Sequence, residues 1–387
     1  MEQTIPRGSE KFSNMSAEQM TLLINPEQFK QVYSNLADSQ NEKFKALGLV
    51  TENKSVVSGP LNVLFDWSVT PENSDYDFSK TFIINYHTYC TPMQLLELVD
   101  KRCSDILSNG AEPESTRRQK WAKITIFVKN WTELLPSDFA DEQFANSFKT
   151  FTEKYISQFA GIKQIEKMID TVRSSPHTNI FERIPGAEKR EKMKPLSEVS
   201  AEVITQQISL YEFELFKDIE LKDFLGGAWT KKDKYERCPR LCEFLDHFNS
   251  TTNWVVSSIL NEPDINARAS LISKFISVAE MMYKNMNFTG FFEFYSGINS
   301  ACINRLTKTT ELIPDFKQRM EPLSKAADPT KSYATYRNYI SQNRTKGYIP
   351  FIGVVIQDLT FIDEGNLDNN ERGNVNFEKC RMVAKQL

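Results

Sequence analysis

The chain has 387 residues, 40% of them hydrophobic and 25% charged, with a net charge of −4. That length and apolar content suffice for two or three folded domains, and the mixed charge argues against a globally basic nucleic-acid binder, so no nucleic-acid partner is expected. No run of about 18 apolar residues exists to span a membrane, and neither a leader-like apolar segment after Met1 nor a lipidation motif is present, which predicts a cytoplasmic protein.

Residues 1–45 are polar with modest helical patterning at Met20, Leu22, Leu23, Phe29, Val32 and Leu36. That pattern fits either one or two packed helices or a partly disordered extension. Ser58-Gly59-Pro60 breaks the chain before a short apolar helix from Leu61 to Trp67. Thr91-Pro92-Met93-Gln94 has the form of a capping box with proline at the first helical position, followed by the apolar face Leu95, Leu96, Leu98 and Val99. His87 has no nucleophile or orienting group beside it and reads as structural. Arg117 to Leu135 predicts one helix with Trp121, Ile124, Val128 and Trp131 on a stripe. Ser137 is placed to cap the next helix, which carries Phe144, Phe148, Phe151 and Tyr155. Residues 161–197 have linker composition, with breaks at Ser175-Pro176 and Pro185-Gly186 and a mixed charge run from Glu188 to Lys194.

From Ser200 long amphipathic helices dominate. Glu202 to Ile219 carries Ile204, Ile208, Tyr211, Leu215 and Phe216; Arg240 to Phe248 and Asn253 to Leu260 are shorter. Ile265 to Met286 has an apolar face wide enough to be buried on two sides. Thr289-Gly290 is read as a break before a helix from Phe291 to Asn304, and another helix is predicted from Pro322 to Tyr339. Pro350 can open the next helix. Ile352, Ile356, Leu359 and Ile362 recur at helical spacing, Thr360 and Glu364 share one face, and Gly365-Asn366 supplies a stop. A polar turn from Leu367 to Gly373 leads to a last helix from Val375 to at least Leu387, which makes a helical hairpin. No useful period-2 pattern appears, so the fold class is all-α.

The six cysteines sit in apolar helical patterns and read as buried, reduced thiols. Cys238, Cys242 and His247 invite a metal, but their spacing is not a common zinc spacing and no second Cys/His pair lies nearby. Phosphate loops, dinucleotide fingerprints, nucleophile elbows and zinc-protease motifs are absent, and three histidines leave little general-base chemistry. The sequence points to a protein that acts by binding, with no metal and no cofactor expected.

Four segments carry a family resemblance: Gln207 to Phe216, Asn266 to Ala279, Phe288 to Leu306, and Pro350 to Asn366. In this order and spacing they resemble the catalytic domain of Ras-type guanine-nucleotide exchange factors. Phe82 to Leu96, with the helix around Trp121, is similar to the exchanger motif domain that accompanies it. The resemblance implies an exchanger motif domain over 46–160 and a catalytic domain over 198–387, joined by a linker over 161–197 and preceded by the 1–45 extension. It implies a Ras-, Rap- or Ral-like GTPase partner, non-covalent catalysis of GDP release, and indirect recruitment to the membrane where that GTPase is anchored. In the family the hairpin wedges against the switch regions. The position of Thr360 then crowds the magnesium site, and Glu364 lies near the phosphate site. Asn299 and Arg305 match positions facing the second switch; Phe351 and Gln357 match the base of the hairpin; Asp363 and Lys379 complete the GTPase-facing set. Asp246 stands where some members are basic, Asn304 replaces an aromatic, and Thr360 is smaller than the leucine of some members. These departures keep a non-catalytic scaffold open as an alternative. Relatives continue past the position of Leu387, so weaker support of the hairpin is expected here.

Overall fold

The computed structural model describes residues 42–53, 55–159, 161–174, 195–343 and 345–387. Residues 1–41, with their helical patterning, and the charge run at 188–194 lie outside the described residues.

The first module opens with two short antiparallel strands, β1 (Val50–Glu52) and β2 (Ser55–Gly59). Six helices follow: α1 (Leu61–Ser68), α2 (Phe78–Asn85), α3 (Pro92–Ser108), α4 (Glu114–Leu134), α5 (Glu142–Lys154) and α6 (Ile162–Ser174). The capping box forms as the sequence predicts. Thr91 Oγ1 accepts from the Gln94 amide at 3.3 Å, and Gln94 Oε1 accepts from the Thr91 amide at 2.9 Å. Ser137 does not cap α5; it lies in a 3-10 turn (Pro136–Ala140), and Asp141 accepts from the Phe144 amide at 2.7 Å instead. His87 does have an acid, from 51 residues away. Buried Asp138 accepts from the Tyr86 hydroxyl, from Trp131 Nε1 at 2.8 Å, and pairs with His87 Nε2 at 2.8 Å. That node satisfies a buried carboxylate and gives His87 the orienting partner that its sequence neighbours do not. The stretch of linker composition begins with α6, whose Ile165 and Ile169 are buried in this module's aromatic core.

The second module contains α7 (Ala201–Asp218), α8 (Lys234–Arg237), α9 (Pro239–Leu260), α10 (Ile265–Lys284), α11 (Phe288–Ile298), α12 (Ala301–Asn304), α13 (Thr307–Thr310), α14 (Phe316–Ala326), α15 (Thr330–Gln342) and α16 (Ile352–Gly365). After them come β3 (Val375–Asn376) and α17 (Phe377–Gln386). α10 is central, with Ile272, Phe275, Ile276, Val278, Ala279 and Met282 all buried. Three predicted boundaries change. The two short helices after Arg240 are one helix, α9. Thr289-Gly290 lies inside α11, because Asn287 caps it by accepting from the Gly290 amide at 3.1 Å. Gly297 lets α11 approach α9: a Cβ there would meet Val255 Cγ1 at 2.6 Å. The helix predicted from Pro322 to Tyr339 is two helices, α14 and α15.

The all-α class holds for the body of the protein, but a three-stranded sheet with order β1-β2-β3 was not legible. Its strands of three, five and two residues are too short to show alternation. β2 belongs to the first module and β3 to the hairpin, so the sheet joins the two, pairing Ser58 with Asn376 and Gly59 with Val375.

Candidate functional site

The hairpin is built on a fixed base. Ile349 donates its amide to the Met286 carbonyl at 3.1 Å, and the Phe288 amide returns to Ile349 O at 2.9 Å. Thr289 Oγ1 donates to Pro350 O at 2.6 Å, and Tyr336 OH accepts from the Phe351 amide at 3.0 Å. Pro350 therefore stands one residue ahead of the N-cap, Phe351, rather than at the first helical position. The Phe351 ring stacks on Phe292 with centroids 3.9 Å apart at 15°. It is half-buried packing at the base rather than an outward-facing group.

Along α16 the two faces divide. Ile352, Val355, Ile356, Leu359 and Ile362 pack into a cluster with Leu215, Phe224, Phe244 and Val383. Gln357, Thr360, Phe361 and Glu364 fall at i, i+3, i+4 and i+7 on the opposite side. Gln357 and Glu364 are exposed, Thr360 is half-buried, and Phe361 is 61% exposed. The Thr360 hydroxyl is committed to Ile356 O at 2.7 Å. Glu364 lies in the last turn, where the helix dipole disfavours a carboxylate. Leu367, just beyond the helix, is 77% exposed.

The second helix locks the first. Lys379 is buried, with Nζ 2.9 Å from Asp363 Oδ1 and 2.8 Å from Asp368 Oδ1. Burial alone would lower its pKa; hydrogen bonds to Asp368 and Asp363 outweigh that and raise it, so the ammonium stays charged. Lys379 and Asp363 thus brace the hairpin from within, and Lys379 presents no free surface, contrary to a GTPase-facing role. Gln386 Nε2 donates to Asp358 Oδ2 at 2.9 Å, and Arg337 holds the other oxygen at 2.8 Å.

α17 is in turn anchored in the first module. Phe377 stacks on Phe78 with centroids 4.1 Å apart at 19°, and the Arg381 guanidinium lies over both rings while pairing with Asp75 at 2.7 Å. Asn85 Nδ2 donates to Cys380 O at 3.0 Å. Val375, Phe377 and Cys380 are part of the first module's core. The hairpin is well supported, against the expectation of weak support. Lys222 Nζ adds a second tie, to Ser137 Oγ at 2.9 Å.

The remaining expected residues lie on α9 and around the end of α11. Asp246 is exposed and accepts from Tyr235 OH at 3.2 Å. Asn304 Nδ2 donates to Asn299 O at 2.9 Å and to Asn299 Oδ1 at 3.3 Å, so these two form one exposed polar corner. Arg305 follows as the exposed C-cap of α12. Cys238 and Cys242 are buried thiols with sulfurs 3.7 Å apart, and burial pushes Cys238 up to about 12.

Two family models match in tandem: the RasGEF N-terminal motif over residues 55–153 and the RasGEF domain over residues 203–381. The chain belongs to the Ras guanine-nucleotide exchange factor family. It is similar to Ras guanine nucleotide exchange factor P of Dictyostelium discoideum, 32% identical over 81% of this chain and 22% of that protein. Ras guanine nucleotide exchange factor A of the same organism is 27% identical over 86% of this chain and 57% of its own length. Ras-specific guanine nucleotide-releasing factor 2 of Rattus norvegicus is 35% identical over 48% of this chain and 16% of its own. The chain thus spans between 16% and 57% of the length of these three proteins, less than two thirds of each. No helix among the described residues is long and apolar enough to cross a membrane.

Sequence reasoning missed two exposed apolar residues of this hairpin, Phe361 and Leu367. Phe361 was findable: it is out of phase with the stripe of Ile352, Ile356, Leu359 and Ile362. Asp368 and Asp358, the partners of Lys379, Arg337 and Gln386, carried no signal, since a pairing partner is defined only by the folded hairpin.

Proposed function

We propose that this chain accelerates GDP release from a Ras-, Rap- or Ral-like small GTPase by inserting the α16–α17 hairpin between the switch regions. One observation carries the reading. α16 presents Gln357, Thr360, Phe361 and Glu364 on one open face while its other face and its partner helix are held by two modules. Such a helix can push without yielding. Glu364 disfavours phosphate at short range and can accept a hydrogen bond from the emptied phosphate loop. Thr360 crowds the magnesium position. Phe361 and Leu367 supply apolar contact, and Asp246, Asn299, Asn304 and Arg305 form the polar surface for the second switch. Binding the nucleotide-free GTPase more tightly than the loaded one shifts the equilibrium towards release without bond chemistry.

The test is release of a fluorescent GDP analogue from a panel of Ras, Rap and Ral-type GTPases. Glu364→Ala should slow release at least tenfold while weakening capture of nucleotide-free GTPase less. Acceleration of none of the panel sinks the proposal, and stable capture without acceleration would assign a scaffold instead. An unchanged rate in Glu364→Ala removes that residue from the mechanism.

A further inference from the structure

Away from the hairpin, three helices bring Glu212 of α7, His247 of α9 and Glu293 of α11 to one point. Glu212 and Glu293 are both 0% exposed. His247 Nε2 lies 3.7 Å from Glu212 Oε1 and 3.7 Å from Glu293 Oε1, and the three donor atoms all fall within 4.8 Å of one another. Two buried carboxylates this close repel unless a positive charge or a proton sits between them. Among the described residues no Lys or Arg pairs with either; their ion-pair partner is His247. Asn287 Nδ2 donates to Glu212 Oε2 and to Ser209 Oγ, which leaves Glu212 Oε1 without a hydrogen bond. Neither carboxylate oxygen of Glu293 has a hydrogen bond of good geometry, Glu212 and Thr251 being its polar neighbours, although buried polar groups are almost always satisfied. The unsatisfied oxygens and the imidazole nitrogen therefore converge on one small volume.

We propose that Glu212, His247 and Glu293 form a binding site for a single divalent cation of the zinc class. The donor set of two carboxylates and a neutral imidazole suits such an ion, which takes three protein ligands and leaves a fourth position for water. With two 3.7 Å edges meeting at Nε2 and no donor–donor separation above 4.8 Å, a point equidistant from the three donors lies within about 2.5 Å of each, near zinc–ligand bond lengths. Small side-chain rotations close the difference. Thr251 Oγ1, 3.4 Å from His247 Nε2, is the hydrogen-bond partner that an ion would displace at that nitrogen. His247 is 17% exposed, while the two glutamates are fully buried. The ion neutralises two carboxylates that otherwise have only His247 as a cationic partner, and it ties α7, α9 and α11 at one point. Magnesium fits poorly, because it keeps an octahedral shell of oxygens and several waters. The site involves neither Cys238 nor Cys242, and it is independent of the exchange reading.

The experiment uses the whole chain, stripped with chelator and then dialysed against zinc, manganese or magnesium chloride. Wild type should retain about one zinc by elemental analysis, and its unfolding temperature should rise with zinc concentration. Cobalt substitution should give d–d bands without thiolate charge transfer. Glu293→Gln and His247→Gln, each checked for native circular dichroism, should bind zinc at least about 100-fold more weakly and lose the thermal shift. Cys238→Ser should bind normally. Absence of a stoichiometric ion in wild type, retention of zinc by Glu293→Gln or His247→Gln, or a cobalt–thiolate band would each overturn the assignment and leave a shared proton as what holds the two carboxyls together.

Discussion

Phe377→Ala tests whether the hairpin is part of the first module's core or merely rests on it. Phe377 is 1% exposed, stacked face to face on Phe78, with Arg381 across both rings. Truncating a buried phenylalanine costs about 3–5 kcal/mol through lost transfer energy and the cavity left behind. The lost ring–ring contact is part of that, at about 0.5–1.5 kcal/mol. The lost guanidinium contact adds little more, since Arg381 is partly exposed. Against a domain stability of about 5–15 kcal/mol the variant should fold but unfold at lower urea. The informative measurement is native-state hydrogen exchange. If the stack is shared, protection falls in α2, which carries Phe78, as well as in α17. GDP release should also slow, because α17 no longer fixes α16. A stability loss below about 1 kcal/mol, or faster exchange confined to α17 with α2 unchanged, refutes a common core.

Three further substitutions probe separate links. Lys379→Met leaves Asp363 and Asp368 facing each other; because Asp368 is about half exposed, the cost is discounted to about 1–2 kcal/mol, read as a lower midpoint in thermal or urea unfolding. Gly297→Ala drives a methyl into Val255 and should cost about 1–3 kcal/mol; Val255→Ala in the same chain should recover part of it, and simple additivity of the two losses would show that the α9–α11 approach is not the cause. Burial raises the Asp223 carboxyl from 3.8 to about 6. The folded state therefore holds its proton more tightly than the unfolded state, and this group's contribution to stability is fully present below about pH 4 and lost as pH rises through about 6. Asp223→Asn should flatten that part of the stability–pH curve; an unchanged slope between those limits counts against the burial argument.

The sequence carried what is local. The capping box at Thr91, the apolar stripe of α16 and the stop at Gly365-Asn366 each follow from a few neighbouring residues. The catalytic domain was legible from four ordered segments, and the exchanger motif before it from Phe82 to Leu96 with the helix around Trp121. What was not legible is non-local. Nothing near His87 announces Asp138, and nothing near Lys379 shows that its charge is consumed by Asp363 and Asp368 rather than offered to a partner. β3 is two residues long and gains its meaning from β2, more than 300 positions earlier. The boundary errors at α9 and α11 share one cause: polar and small residues at close helix contacts read as breaks, as at Thr252, whose hydroxyl donates to Glu293 O at 3.4 Å, and Gly290, where a Cβ would meet Met282 Sδ at 2.9 Å.

The division of the hairpin into an open helix and an anchored one bears on how the proposed wedge works. Displacing a switch segment requires the wedge to be stiffer than what it moves. α16 by itself contacts the catalytic core along one stripe, and its last turn, with Glu364, extends past the buried Leu359. A load on that tip is resisted through Lys379 to α17 and through Asp358 to Arg337 and Gln386. α17 passes it on to the first module by strand pairing, the Phe78–Phe377 stack and the Arg381–Asp75 pair. Without the first module, Val375, Phe377 and Cys380 would be exposed apolar surface and α17 would lose the contacts that place it. The exchanger motif module is therefore a structural member of the hairpin. Rigidity at Glu364 is set more than a domain's width of sequence away, at residues such as Phe78 that need never touch the GTPase.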